Sequence, residues 1–266
     1  MSTKFKFPPI NELAIGVYLN KPLLNLRAEH VGLFWHDIRH DFPTVTQVGP
    51  IVRDEPSVAN PAAMAIAADE VYPLPRFWFH SGDGTMLLQM QRNAFLLNWR
   101  KGANNYPHFE AVKAEFDRRY GAFAEFARGT LGEQFEIEAA ELTYINLAEA
   151  GGYWSGVNDI ARVIPSFRPL DVGLPYGSLT TTSHTNAWTV AKDMNLHAKL
   201  QTAMLVADRR PALVFELSAK GRLGAATKAE ADAWFERAHV LTGEAFRGMT
   251  SPEIQQRVWQ PVGESG

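Results

Sequence analysis

The chain of 266 residues is 46% hydrophobic and 11% aromatic, which suffices for a sizeable core and excludes extended disorder. It contains no cysteine, which excludes disulfides, thiolate nucleophiles and cysteine-ligated zinc or iron–sulfur sites. The formal net charge of −3 and the lack of an extended Lys/Arg block disfavour nucleic-acid binding through bulk electrostatics.

The first seven residues carry two lysines and no apolar stretch, so we predict no signal peptide. No window approaches the roughly 18 consecutive apolar residues of a membrane span, so we predict no membrane association. These observations favour a cytoplasmic protein of bacterial type.

The first part of the chain is predicted to run strand, helix, three strands, helix. The predicted strands cover 13–19, with Gly16 as a bulge, 45–52, 76–80 and 85–101. The predicted helices cover 27–42 and 106–128. Residues 53–75 contain four prolines and are predicted as a long loop that can hold a helical turn at 62–68.

The run from Met86 to Arg100 is predicted to be one long strand with a polar stripe. Leu88 and Met90 alternate with glutamines, the period of two of a sheet that covers a core on one side. The tripeptide at 82–84, Gly-Asp-Gly, predicts the hairpin turn before this strand. It lacks the Lys-Ser/Thr and the helix that would follow a phosphate-binding loop.

The clearest predicted helix is 106–128, capped by Asn105 and with Pro107 in its first turn. Its apolar stripe consists of Phe109, Val112, Phe116, Tyr120, Phe123 and Phe126.

The second part of the chain repeats the predicted order, with a much shorter first helix. The predicted strands cover 135–147, 178–192, 196–206 and 212–218. Helices are predicted at 157–163, from Thr227 to 247, and over 251–259. Thr227 and Glu230 form a capping box at the start of the long helix.

These elements predict a single α+β domain over 8–266, built from half-repeats at about 8–131 and 133–247. Two β-α-β-β-β-α units combine most simply into one broad curved antiparallel sheet with the long helices on one face. In topology this arrangement resembles the TATA-binding-protein-like and helix-grip architectures. Such a likeness carries no function by itself.

The motif at 91–100, Gln-Arg-x-x-Phe-x-x-Asn-Trp-Arg, occurs together with Pro-Pro-Ile at 8–10 and Tyr-Ile-Asn at 144–146. In this combination the chain resembles a sporadically distributed bacterial family of similar length whose function is not characterised. The resemblance covers most of the chain and implies no catalytic residues. Scattered distribution of this kind implies a mobile, defence or toxin–antitoxin setting.

Two polar strand faces are candidate binding surfaces. The first consists of Gln89, Gln91 and Asn93. The second consists of His197, Lys199 and Gln201, with Glu216 and Ser218 alongside. The ordinary interpretation of both is the solvated face of an open antiparallel sheet, and the functional one is a groove that orients a ligand or partner.

Three further polar residues, Arg92, Asn98 and Arg100, interrupt otherwise apolar sequence. A buried guanidinium group requires a partner, so these residues either pair with acids, which is the favoured interpretation, or serve a site. Tyr144 and Asn146 are predicted neighbours in the same network. The predicted ligand- or partner-binding residues are therefore Gln89, Gln91, Arg92, Asn98, Arg100, His197 and Lys199.

Two histidines, His36 and His40, lie four residues apart on the first helix, a spacing that can place two imidazoles on one metal ion. The sequence lacks His-Glu-x-x-His and a recognisable third ligand, so a solvated helix face is favoured. We predict no metal site and no cofactor.

The leading hypothesis is a non-enzymatic protein that holds a protein partner or a small-molecule ligand on the polar sheet face or in an inter-repeat groove, as an antitoxin, immunity or defence-associated component. Its candidate anchors are Trp78, Trp154, Trp188 and Arg168. The alternative is a small-molecule enzyme with His197 or His184 as acid/base and Arg92 or Arg100 as anion anchor.

Overall fold

The computed structural model describes residues 4–51, 74–103, 105–168 and 179–262, so the helical turn predicted at 62–68 lies outside the described residues. The strands are β1 Ile10–Leu19, β2 Thr44–Val48, β3 Arg76–His80, β4 Met86–Gln91, β5 Ala94–Arg100, β6 Ile137–Glu149, β7 Ser183–Ala191, β8 Met194–Met204 and β9 Pro211–Arg222. The helices are α1 Ala28–Ile38, α2 Phe109–Gly129, α3 Ile160–Val163, α4 Lys228–Met249 and α5 Pro252–Ile254.

The fold class is α+β, as predicted. The nine strands form one sheet in the order β2-β3-β4-β5-β1-β6-β9-β8-β7. Antiparallel pairing joins β2 to β3, β3 to β4, β4 to β5, β7 to β8 and β8 to β9. Among the described residues, no helix is long and apolar enough to cross a membrane.

The prediction of one long strand from Met86 to Arg100 was wrong. The segment folds as two strands, β4 and β5, which pair with each other so that Gln91 lies opposite Ala94. Arg92 and Asn93 form the tight turn between them. A two-residue turn shifts the alternation by one residue, but periodicity missed this reversal because β5 is buried on both faces. The first part of the chain therefore has one strand more than predicted.

The aromatic stripe of α2 is confirmed as core. Phe116 and Phe123 are fully buried, and Phe123 stacks on Phe95 of β5 with ring centres 4.6 Å apart. The predicted cap was wrong, because the helix begins at Phe109 after His108, whose φ of 70° turns the chain. Asn105 and Pro107 precede the helix instead of forming its first turn.

The chain divides into two compact units. The first unit contains Ala14–Ala140 and Leu223–Ala231, and the second contains Met1–Leu13, Glu141–Arg222 and Asp232–Gly266. A buried cluster in the second unit includes Trp154, Phe167, Phe215 and Trp259.

Two local predictions concern glycine and capping. Gly16 lies within β1 where a Cβ atom would sit 2.7 Å from Cγ of Leu96, so close approach of a neighbouring side chain is its structural role. Thr227 caps α4, since its Oγ1 accepts a hydrogen bond from the N–H of Glu230 at 3.2 Å. The capping prediction is therefore confirmed for the threonine side chain.

Candidate functional site

Strand β3 separates polar from apolar side chains by alternation. Phe77 and Phe79 are buried in the core, while the intervening Arg76, Trp78 and His80 are half-buried. A strand directs successive side chains to opposite faces, so these three residues share the face of the sheet away from the phenylalanines. All three lie within the first unit.

Two buried amides continue this face across β4 and β5. Gln89 Oε1 accepts hydrogen bonds from Nη1 of Arg76 at 2.9 Å and from Nε1 of Trp78 at 3.0 Å. Gln89 Nε2 donates to Oδ1 of Asn98 at 2.6 Å. These bonds fix the orientation of the Gln89 amide. We call the following residues the Trp78 cluster: Arg76, Trp78, His80, Gln89, Asn98 and Arg100.

Two guanidinium groups lie beside the indole ring of this cluster. The Cζ atoms of Arg76 and Arg100 are each 5.4 Å from the centre of the Trp78 ring, within cation–π range. Burial lowers the pKa of Arg76, and the charge of Tyr18 opposes that shift. Nε of Arg76 is buried without a hydrogen-bond partner, and no carboxylate of the described residues forms an ion pair with this side chain.

The imidazole of His80 borders the same cluster. Its Nε2 lies 3.0 Å from Oγ1 of Thr46, and its ring makes an edge contact with Trp78 at 6.1 Å between centres. Burial is the main cause that lowers the pKa of His80, and the Arg100 charge lowers it further. Because the ordinary histidine pKa is about 6.5, His80 is neutral at pH 7 and the guanidinium groups supply the positive charge.

Two of the predicted binding residues, Gln91 and Arg92, form hydrogen bonds with main-chain groups. The side chain of Gln91 is buried, and its Oε1 accepts a hydrogen bond from the N–H of Ile51 at 2.8 Å. Its Nε2 donates hydrogen bonds to Ile51 O at 3.2 Å and to Oδ1 of Asn93 at 2.7 Å. Nε and Nη2 of Arg92 both donate to Leu26 O at 3.1 Å. Arg92 thus has a main-chain carbonyl among its partners.

Replacement of Gln91 by alanine is therefore expected to destabilise the protein. Loss of the amide leaves the Ile51 main-chain groups without these partners, which costs about 1–3 kcal/mol. Gln47→Ala on β2, where the side chain is exposed, is the matched control and should change stability by less than about 0.5 kcal/mol. Equal unfolding free energies for the two variants in a denaturant titration would contradict the structural role of Gln91.

The second polar face has the predicted register. In the second unit His197 lies opposite Ser218, and Lys199 lies opposite Glu216. Ser218 is buried beside Thr143 of β6, with 2.6 Å between their hydroxyl oxygens. Thr143 donates to Glu141 at 2.9 Å, and Ser218 approaches Glu216 at 3.2 Å. The Ser218 cluster consists of Glu141, Thr143, His197, Glu216 and Ser218.

Charge around the Ser218 cluster is mixed. Burial and then the Lys220 charge lower the pKa of His197, while Glu141 and Glu216 oppose them. The imidazole is therefore neutral at pH 7, a form that can accept a proton. Ser218 is only 1% exposed, so its hydroxyl is inaccessible to a substrate in this conformation and serves the hydrogen-bond network.

Two predicted members of the Arg92 network, Tyr144 and Asn146, and two predicted partner anchors, Trp154 and Trp188, lie outside the Trp78 and Ser218 clusters. Tyr144 bonds through its hydroxyl to Nδ1 of His239 at 2.8 Å, and Asn146 donates to Phe215 O at 3.1 Å. These bonds place neither residue in a network with Arg92. Trp154 is buried and donates to a main-chain carbonyl, which makes it unavailable as a partner anchor, whereas Trp188 is exposed.

The structure places His36 on α1 but His40 in the turn after the helix ends, and both side chains are exposed. Nδ1 of His36 contacts the neighbouring Asp37 at 3.4 Å, and Nδ1 of His40 contacts Asp41 at 3.3 Å. Within the part of the chain that the structure describes, no three His, Asp or Glu side chains are grouped so that they could hold a metal ion.

Sequence reasoning missed four members of the two clusters: Arg76, His80, Glu141 and Thr143. The signal for the first two was present, because Arg-Phe-Trp-Phe-His at 76–80 alternates polar and aromatic residues. Glu141 and Thr143 alternate in the same way along β6. No family model matches the sequence, and neither the curated proteins nor the solved structures give a match.

Proposed function

We propose that this is a binding protein that holds a small organic anion, a carboxylate or phosphate compound, at the Trp78 cluster. One observation carries the proposal. Arg76 is a half-buried cation, and no carboxylate of the described residues forms an ion pair with it. Burial of a guanidinium group is costly unless an anion compensates it, and a bound oxyanion would supply that compensation.

The surroundings of Arg76 prepare it for this role. Gln89 accepts one of its N–H groups, and the Trp78 ring packs against its guanidinium carbon. A guanidinium group held in this way loses little further conformational freedom when a ligand binds, which preserves affinity. Its planar donors match a carboxylate or phosphate through two parallel hydrogen bonds.

The other residues of the Trp78 cluster would each make or support a different contact with the ligand. Arg100 adds a second positive charge near the same indole ring. His80, neutral at pH 7, can accept or donate one hydrogen bond at the edge of the site. Trp78 offers an aromatic surface for the organic part of the ligand. Asn98 contributes by holding the Gln89 amide in place.

The test uses isothermal titration calorimetry with phenyl phosphate, inorganic phosphate and benzoate, and with benzamide as the uncharged comparison. Wild-type protein should bind the anions and not benzamide. Arg76→Gln should weaken binding at least tenfold, about 1.4 kcal/mol, because a charge-assisted hydrogen bond is lost.

The control is Arg39→Gln, which removes the same charge from an exposed position in the first unit. This variant should keep the wild-type affinity, which separates a local contact from a net-charge effect. Binding of the anions by Arg76→Gln with wild-type affinity, or tight binding of benzamide, would refute the proposal.

The proposed biological role of the protein rests on its sequence. The motif at 91–100 supports membership of the sporadic bacterial family, and a scattered distribution supports an antitoxin, immunity or defence role in the cytoplasm. The TATA-binding-protein-like topology is supported by the element order of the second part of the chain, whereas the first part has one strand more. A protein partner remains the alternative occupant of the polar face.

A second candidate function, acid/base catalysis on a small molecule, is supported by the Ser218 cluster. His197 is a neutral imidazole within the electrostatic influence of two carboxylates, Glu141 and Glu216. Arg92, one of the anion anchors that the sequence suggested, donates to the carbonyl of Leu26 in the first unit. His197→Gln would abolish such an activity and leave anion binding by the Trp78 cluster unchanged.

A further inference from the structure

Strand β7 forms one edge of the sheet and is fully open. It pairs with β8 on one side only, and each of its nine residues from Ser183 to Ala191 is exposed. Among the described residues no strand pairs with its outer edge, whose N–H and C=O groups are therefore a template for another strand. The opposite edge, β2, has only five residues and follows Pro43 directly.

The hydrogen-bond pattern identifies the residues that face outward. Thr202 N donates to Thr182 O at 3.0 Å, which makes 182 and 202 a hydrogen-bonded pair. Antiparallel pairs alternate, so the even positions of β7 from 184 to 188 direct their backbone groups to β8. Ser183, Thr185, Ala187 and Thr189 therefore direct theirs outward.

We infer that β7 pairs with β7 of a second copy of this chain, antiparallel and centred on Ala187. This register uses all nine residues and places Thr185 of each copy opposite Thr189 of the other. The strand carries no Asp, Glu, Lys or Arg, its one histidine lies opposite Val190 in this register, and Ala187 leaves room at the twofold axis. Lysine and proline, which protect many natural edge strands, are absent from its sequence, and the register irregularity between Thr189 and Ala191 lies at its end.

The side chains favour the same partner. Trp188 and Val190 are 40% and 48% exposed. The proposed register places Trp188 against Asn186 of the second copy, so part of the indole surface leaves water. Threonine, tryptophan and valine are residues that stabilise strand pairing, and Ser183–Ala191 contains all three. A second copy presents the same strand, without Asp, Glu, Lys or Arg.

The first experiment measures molar mass by light scattering over a concentration series. Wild-type protein should form a dimer. Ala187→Pro should be monomeric, because it removes an outward N–H and leaves the pairing with β8 intact. Ala187→Thr retains the N–H and should remain dimeric. A wild-type monomer into the millimolar range would overturn the inference and favour a strand from another protein.

The second experiment tests the register and does not depend on disruption of the strand. The chain has no cysteine, so Ala187→Cys introduces a single thiol at the proposed axis. Directly opposed Cα atoms are about 5.5 Å apart, which permits a disulfide. Mild oxidation should cross-link this variant.

The matched control is Thr185→Cys, whose two copies would be four residues out of register, roughly 13 Å apart. This variant should remain uncross-linked under the same conditions. Equal cross-linking of both variants, or none of Ala187→Cys, would overturn the proposed pairing.

Discussion

Phe116→Ala is expected to destabilise the protein by about 3–5 kcal/mol. Phe116 is fully buried on α2, and its ring lies 6.2 Å from that of Phe95 and 6.0 Å from that of Tyr120, centre to centre. Removal of the ring eliminates these contacts and leaves a cavity between the helix and β5. Guanidinium titration followed by far-ultraviolet circular dichroism measures the loss of unfolding free energy.

Leu33→Ala provides the comparison for this variant. Leu33 lies on α1 in the same unit, but its side chain is 54% exposed. Its truncation should therefore change stability by less than about 0.5 kcal/mol. A loss below about 1 kcal/mol for Phe116→Ala would mean that the aromatic stripe is not packed as described, since buried phenylalanines lose more.

The long helices were predictable because their apolar residues recur at helical spacing. The stripe of α2 and the cap of α4 at Thr227 depend on residues within a few positions of each other, which a sequence displays directly. The hairpin turn at 82–84 was predictable for the same local reason, and Asp83 holds it through Ser81 and Thr85.

The turn at Arg92-Asn93 could not be recognised by periodicity. Its stabilisation is nonlocal: Leu19 N donates to Asn93 O at 2.9 Å, and Leu23 N donates to Arg92 O at 2.8 Å. These bonds come from a chain segment about seventy residues earlier. A two-residue turn shifts the alternation by one residue, so that Gln89 and Asn98 share a face. Because β5 is buried on both faces from Ala94 to Trp99, the apolar pattern does not display this shift.

The candidate sites were only partly predictable for a related reason. Gln89 and Asn98 were recognised as candidate residues, but the partners of Gln89, Arg76 and Trp78, lie on a different strand and depend on register. Gln91 looked equivalent to Gln89 in the alternation. It differs because Ile51 reaches its amide, a contact that no pattern within β4 indicates.

Gly221→Ala is expected to produce a loss of about 3 kcal/mol or more in unfolding free energy. A Cβ atom at this position in β9 would lie 1.9 Å from the main-chain oxygen of Asp193, so the backbone of Asp193 must move. That oxygen accepts the hydrogen bond of Trp234 Nε1 at 3.0 Å. Trp234 is fully buried, and its N–H would lose this partner.

Gly224→Ala tests whether the loss comes from the clash at Asp193. No atom lies within 4 Å of the Cβ position of Gly224, so this substitution should alter stability by less than about 0.5 kcal/mol. Trp234→Phe removes the indole N–H directly. If displacement of Asp193 acts through Trp234, the double variant Gly221→Ala, Trp234→Phe should lose less than the sum of the two single losses. Full additivity would show that the Gly221 clash and the Trp234 hydrogen bond are independent.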